Sequence, residues 1–281
     1  SIINDAVCHF QTHDKGLLCL MCGVGKTLIS LWISQRLQLD TIIIGVPNIL
    51  LLKQWSDKVD ALFPGIPKML VYGGVSEDDI GVFLKKHKGK CVVITSYASS
   101  HKVLTATLAA NHTFGIKILD EVHHLTSANQ EMSSDKSYIQ ILNVEAGKQL
   151  SLTATLKQLD NSADEGIISN DNVACFGEII TRRNLFWAID NGIVCDYVVQ
   201  TIITDETQLD EHLGRFQITD ETEQRLFLAA FAALKSISDK HSHHMLVYTN
   251  NHDNATKLIK FIGLLLADEY FVIPGLFRSE Y

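Results

Sequence analysis

Nothing in this sequence is built to cross a membrane. No apolar run approaches the roughly 20 residues of a spanning helix, and the N-terminus lacks the zones of a secretory signal. The expectation is a soluble, intracellular protein. Positive charge is also in short supply: 24 Lys and Arg stand against 32 Asp and Glu, a formal net charge of −8. A coat or histone-like protein that neutralises phosphates wholesale is therefore excluded. A motor that grips one strand through amides, hydroxyls and a few cations is not. The six cysteines are scattered. Cys19 and Cys22 have metal or redox spacing, but no second pair completes a four-ligand site, so the thiols read as reduced and structural. His241-Ser242-His243-His244 has no nearby partner ligands and reads as a solvated turn. Disorder is not indicated either, because 46% of residues are apolar and 20% charged. The chain begins at Ser1 inside apparent structure, which reads as a trimmed fragment of two domains.

What is present is organised around one stretch. An apolar strand-type run from Gly16 empties into Gly23-Val24-Gly25-Lys26-Thr27, and an amphipathic segment follows over Leu28–Leu39. A strand, a glycine turn and a helix in that order form a phosphate cradle. Glycines let backbone N–H groups turn inward, and the helix N-terminus adds partial positive charge. Lysine reaches the β- and γ-phosphates, and the threonine hydroxyl can bind Mg²⁺. Cys22, Gly23, Val24, Gly25, Lys26, Thr27 and Leu28 are the candidate nucleotide-binding residues. Leu20 stands where the strict eight-residue pattern has its first glycine.

Strands and helices then alternate. Strands are expected at Thr41–Val46, Lys68–Tyr72, Lys90–Thr95, Gly115–Leu119 and Lys148–Thr153. Helices are expected from Pro47-Asn48 to about Phe63, over Ser76–Lys86 and over Ser99–Ala110. Continuous rather than alternating apolar strands argue a parallel sheet covered on both faces. In such sheets ligands sit beyond the carboxyl ends of the strands, where Gly23–Thr27, Pro47, Thr95, Asp120-Glu121 and Thr153 all lie. Farther on, Val173–Ile180 reads as a strand and Arg182–Asn191 as a helix closed by Gly192. A second unit is expected from residue 193, with strands at Cys195–Thr204, Met245–Thr249 and Tyr270–Ile273. Its helices are expected at Thr219–Ser238 and Asn251–Leu266. Ala128–Ser137 is polar and reads as a mobile loop.

Asp120-Glu121 follows a buried strand. Phosphoryl transfer needs one carboxylate for Mg²⁺ and a second group to address the attacking water, and adjacent residues at a strand end can divide these tasks. An isolated acidic pair would merely favour a helix start; beside a phosphate loop, catalysis is the stronger reading.

The ordered set now resembles a superfamily 2 DExH-box helicase or translocase, most closely the restriction-subunit and XPB-type DNA-repair group. Gly23–Thr27 is similar to motif I. Val46-Pro47-Asn48 with Gln54-Trp55 is similar to motif Ia, and Thr95-Ser96-Tyr97 to the element along the nucleic-acid path. Asp120-Glu121-Val122-His123 is similar to motif II, Ser151–Thr155 to motif III and Leu246–Asn250 to motif IV. The resemblance implies a P-loop NTPase of RecA-like fold over residues 1–192, followed by part of a second RecA-like domain over 193–281. It implies ATP and Mg²⁺ as ligands, with Lys26 on the triphosphate, Thr27 and Asp120 on the metal and Glu121 on the water. His123, Thr153 and Thr155 would couple nucleotide state to strand grip. Pro47, Asn48, Thr95 and Ser96 would lie along a nucleic acid, DNA rather than RNA. A larger complex or appended domains are implied, because motifs V and VI and the adenine-reading element of the group are not visible here. The alternatives are a nucleotide-gated binding or sensor module and the motor subunit of a restriction-type nuclease complex. A plain P-loop kinase would leave the motifs after Glu121 unexplained.

Overall fold

Seven short segments rich in β-branched and other apolar residues pair side by side. They are β1 (Lys15–Leu20), β2 (Thr41–Val46), β3 (Lys68–Val71), β4 (Cys91–Ser96), β5 (Phe114–Leu119), β6 (Ala146–Thr153) and β7 (Glu178–Arg183). The computed structural model describes residues 1–126, 138–157, 168–197, 213–242, 245–267 and 271. The chain divides into two compact units, Ser1–Asp196 and Tyr197–Tyr281.

In the first unit all seven strands run parallel, in the order β3-β4-β2-β5-β6-β1-β7. Parallel strands need crossovers, and helices supply them. Leu18, Leu20, Ile42 and Ile44 pack on one face against α1 (Ile2–His9), α2 (Lys26–Arg36) and α3 (Ile49–Leu62). Leu17, Ile43 and Val93 pack on the other against α4 (Glu77–Lys86) and α5 (Ser100–Ala110). Burial on both faces is why these strands read as unbroken apolar runs.

Local signals set the helix starts. Asn48 caps α3, its Oδ1 accepting from the Leu51 N–H at 2.9 Å. Ser76 and Asp79 close a reciprocal capping box on α4. Register then aligns the carboxyl ends: Val46 sits opposite Ser96, Gly45 opposite Leu119, and Cys19 opposite Thr153.

Four expectations are corrected. Val173–Ile180 is not one strand: α6 (Gln140–Asn143) precedes β6, and after it Asn172 caps a short helix α7 (Val173–Phe176). Gly177 at φ +84° then turns the chain into β7. A β-carbon there would come within 2.6 Å of the Lys15–Gly16 backbone, so only glycine fits between β7 and β1. Arg182 and Arg183 consequently belong to the strand, and the next helix, α8 (Leu185–Asp190), starts after the Asn184 cap. Helix α2 begins at Lys26 rather than Leu28. Among the described residues the second unit shows two longer helices, α9 (Glu221–Ser238) and α10 (His252–Ala267), packed through Phe227 and Phe261. Met245–Thr249, expected as a strand, forms none among the described residues. Ala128–Ser137 and most of Cys195–Thr204 and Tyr270–Ile273 lie outside them. No described helix is long and apolar enough to cross a membrane.

Lys117 ties β5 to the chain ahead of β6. It is buried, and its Nζ donates to the carbonyls of Ile141, Leu142 and Val144 at 3.3, 2.8 and 2.9 Å. Burial, helped by the charge of Lys15, lowers its pKa from 10.5 to about 7 against the pull of those three acceptors. The unfolded chain therefore holds one more proton than the native protein between these two values, so stability rises with pH across that window. Denaturation of the wild type and of Lys117→Met at pH 7 and pH 10 should show the wild type gaining on the variant. Parallel behaviour of the two would contradict this assignment.

Candidate nucleotide-binding site

At the carboxyl edge, β1 ends at Leu20 and the chain turns through Gly23 (φ +86°) and Gly25 (φ +92°) into α2. Both glycines occupy the left-handed region that other residues reach only at a cost. No side chain caps the N-terminus of α2 and no acidic residue lies in its first turn. Its leading N–H groups therefore remain available to an anion. Lys26, the first residue of this helix, places Nζ 3.1 Å from Glu121 Oε1 and donates to Leu20 O at 3.4 Å. Thr27 is half-buried beside it.

The acidic pair lies just past β5. Asp120 is 5% exposed, with its N–H bound to Gly45 O at 2.9 Å. Its Oδ2 accepts the indole N–H of Trp55 at 2.8 Å, its backbone carbonyl accepts the Tyr97 hydroxyl, and its Oδ1 is buried with no partner. Burial raises the Asp120 pKa, opposed chiefly by the Trp55 hydrogen bond. Burial and the two carboxylates also push the Tyr97 pKa well up, so its hydroxyl keeps its proton.

Glu121 adopts φ +52°, ψ +52°, a conformation that costs a residue with a β-carbon about 1–3 kcal/mol. The turn sends its side chain to Lys26 on one oxygen and to His123 Nδ1, 3.3 Å away, on the other. Burial works to raise its pKa, but the His123 hydrogen bond and the Lys26 charge overcome it and bring it down to about 2. His123 Nδ1 also lies 3.3 Å from Thr153 Oγ1. That hydroxyl spends its proton on Thr155 O at 2.6 Å and accepts from Thr155 N. Both neighbours of Nδ1 are thus acceptors, so this nitrogen carries a hydrogen. Lys26, Glu121, His123, Thr153 and Thr155 consequently form one connected set across β1, β5 and β6.

Of the residues expected on the nucleic-acid path, Pro47 and Asn48 reach the surface at the end of β2, next to exposed Ile49 and Leu50. Thr95 and Ser96 lie alongside but are buried, and the Thr95 hydroxyl donates to Ser96 O. Sequence reasoning missed the contacts of Trp55 and Tyr97 with Asp120. Each belongs to a recognised motif, yet the contacts span 65 and 23 positions and follow from no local pattern.

Residues 1–158 match the family described as "Type III restriction enzyme, res subunit". The chain belongs to this family. Members of wider kinship include the DNA 3'-5' translocase XPB2 of Sulfurisphaera tokodaii, 28% identical over 123 residues, or 44% of this chain and 24% of that protein. The DNA 3'-5' helicase XPB of Kineococcus radiotolerans is 28% identical over 167 residues, 56% of this chain and 26% of that protein. The chain spans about a quarter of the length of these relatives. A solved structure, the ATP-dependent Type ISP restriction-modification enzyme LlaBIII bound to DNA, superposes with a TM-score of 0.66 at 20% identity. That match covers 83% of this chain and 18% of the other, and bears on fold. The superfamily 2 resemblance and the RecA-like α/β fold are both borne out.

Proposed function

We propose that this chain carries the ATP-binding half of a motor that translocates on or unwinds nucleic acid. The observation that supports this best is the 3.1 Å ion pair between Lys26 of the phosphate loop and Glu121 of the Asp-Glu-Val-His segment. It brings the two chemical halves of a phosphoryl-transfer site together at the carboxyl edge of a parallel sheet. In this reading Cys22–Leu28 cradle the phosphates, Lys26 binds the β/γ-phosphates, and Glu121 orients the attacking water. Mg²⁺ fits the residues present: Asp120 Oδ1 is buried without a hydrogen-bond partner, and this oxygen with the Thr27 hydroxyl would hold the ion. When bound, the ion neutralises charge developing on the transferred phosphate. His123 with Thr153 and Thr155 links Glu121 to β6, so a change at the γ-phosphate position is felt beyond the loop.

Pro47 and Asn48 would form the nucleic-acid edge, where backbone amides and a polar side chain suit sequence-independent contact, and the buried Thr95–Ser96 strand end would support it from beneath. DNA is favoured over RNA because both protein relatives are named for DNA. Residues 193–281 would begin a second RecA-like domain. The family's description favours one variant of this reading, the motor subunit of a restriction-type nuclease complex.

ATP hydrolysis by the intact protein, measured with single-stranded DNA, duplex DNA and RNA at one stated salt concentration, tests the assignment. Stimulation by DNA above that by RNA is expected. Turnover indifferent to every nucleic acid would overturn it.

A further inference from the structure

We propose that Trp55 and Tyr97 are positioning residues for the metal-binding carboxylate, and that each ties an element of the nucleic-acid edge to the nucleotide site. The inference rests on the reading of Asp120 as a Mg²⁺ ligand and names what holds it. Besides the β2 carbonyl that accepts its N–H, two side-chain donors clamp Asp120 from outside its own segment. Trp55 donates its indole N–H to Oδ2 at 2.8 Å, and the Tyr97 hydroxyl donates to the backbone carbonyl of the same residue. All three residues are buried.

The clamp is specific in what it leaves over. With Oδ2 spent on Trp55, Oδ1 is the side-chain oxygen of Asp120 left without a hydrogen-bond partner at bonding distance. A carboxylate tethered by one oxygen and open at the other has the orientation that an outer hydrogen-bond donor gives a metal ligand.

The two donors come from the segments expected along the nucleic-acid edge. Trp55 lies on α3, whose first turn is capped by Asn48 and exposes Ile49 and Leu50. The seven helical residues from Ile49 to Trp55 span about 10 Å. Tyr97 directly follows Thr95 and Ser96 at the end of β4. Both segments expected to face the nucleic acid therefore end, one rigid step later, on the same residue, Trp55 on the Asp120 carboxylate and Tyr97 on its backbone carbonyl. Strand binding that shifts the first turn of α3 or the end of β4 moves the donor, and with it Oδ1.

Trp55→Phe keeps an aromatic ring in the core and removes the N–H; Tyr97→Phe removes one hydroxyl. Mn²⁺ affinity of the ADP-bound intact protein, read by electron paramagnetic resonance, should weaken roughly 10- to 100-fold in Trp55→Phe. ADP binding in EDTA should stay within about twofold of wild type, a split that general misfolding would not produce. In both variants the ratio of DNA-stimulated to unstimulated ATP hydrolysis should fall. Should Trp55→Phe not fold, Tyr97→Phe decides alone through this ratio and its Mn²⁺ affinity. Wild-type Mn²⁺ affinity and stimulation in folded variants would overturn the proposal. Failure of the wild type itself to bind Mn²⁺ with ADP would instead remove the metal site on which it rests.

Discussion

Lys26→Ala should lower nucleotide binding and abolish nucleic-acid-stimulated ATP hydrolysis, with turnover down by roughly 100-fold or more. The reason lies in what else the loop offers. Its other donors are the backbone N–H groups that follow Gly23 and Gly25 and the uncapped start of α2, which carry only partial charge. Lys26 is the one full positive charge within the Gly23–Thr27 turn, and a partly buried ammonium is worth more against phosphate than an exposed one. The variant should remain folded, because the Lys26–Glu121 pair lies at the edge of the sheet and the core clusters do not depend on it. Calorimetric titration with ATP and a turnover assay check the two parts. Binding and turnover within about twofold of wild type would remove the phosphate-loop assignment.

Glu121→Gln should separate the two functions that Lys26 combines. Glutamine keeps the length of the side chain and abolishes its charge. Nucleotide should bind at least as tightly as to wild type, because Lys26 no longer has a carboxylate competing with the phosphates for it. Hydrolysis should nevertheless fall by roughly 10²- to 10⁴-fold, the range for loss of a group that handles a proton in the transition state. With a pKa brought down to about 2 by His123 and Lys26 against burial, Glu121 is locked as a weak base in the arrangement seen here. Transfer of Lys26 to phosphate would release part of that hold while the burial persists, moving the carboxyl toward a useful range. The loop lysine then acts as the catch on the base. A Glu121→Gln enzyme with wild-type turnover would contradict this role.

Most of the fold was legible in the residues. β2 spans Thr41–Val46 as its β-branched run demands, and the Asn48 and Ser76 caps open α3 and α4 where the sequence places them. The failures have identifiable causes. Val173–Ile180 has strand composition throughout, but Asn172 starts a helical turn and Gly177 ends it, so cap and turn chemistry outweigh apolar content. Met245–Thr249 has strand composition too, yet Leu246 and Tyr248 are 74% and 85% exposed, so burial did not follow composition. At the site, the phosphate loop and the acidic pair could be read as patterns because each is local. The left-handed backbone at Glu121, which aims the side chain at Lys26, carried no signal in a residue that seldom adopts it. The hydrogen bonds of Trp55 and Tyr97 to Asp120 were equally hidden, since only the sheet order brings those residues together.

The proposed ATP-driven movement along DNA is tested most directly by displacement of a triplex-forming oligonucleotide from duplex DNA by the intact protein. ATP-dependent displacement that disappears in Lys26→Ala and Glu121→Gln is the predicted result. DNA binding and ATP hydrolysis with no displacement would contradict it and leave a nucleotide-gated binding module in its place.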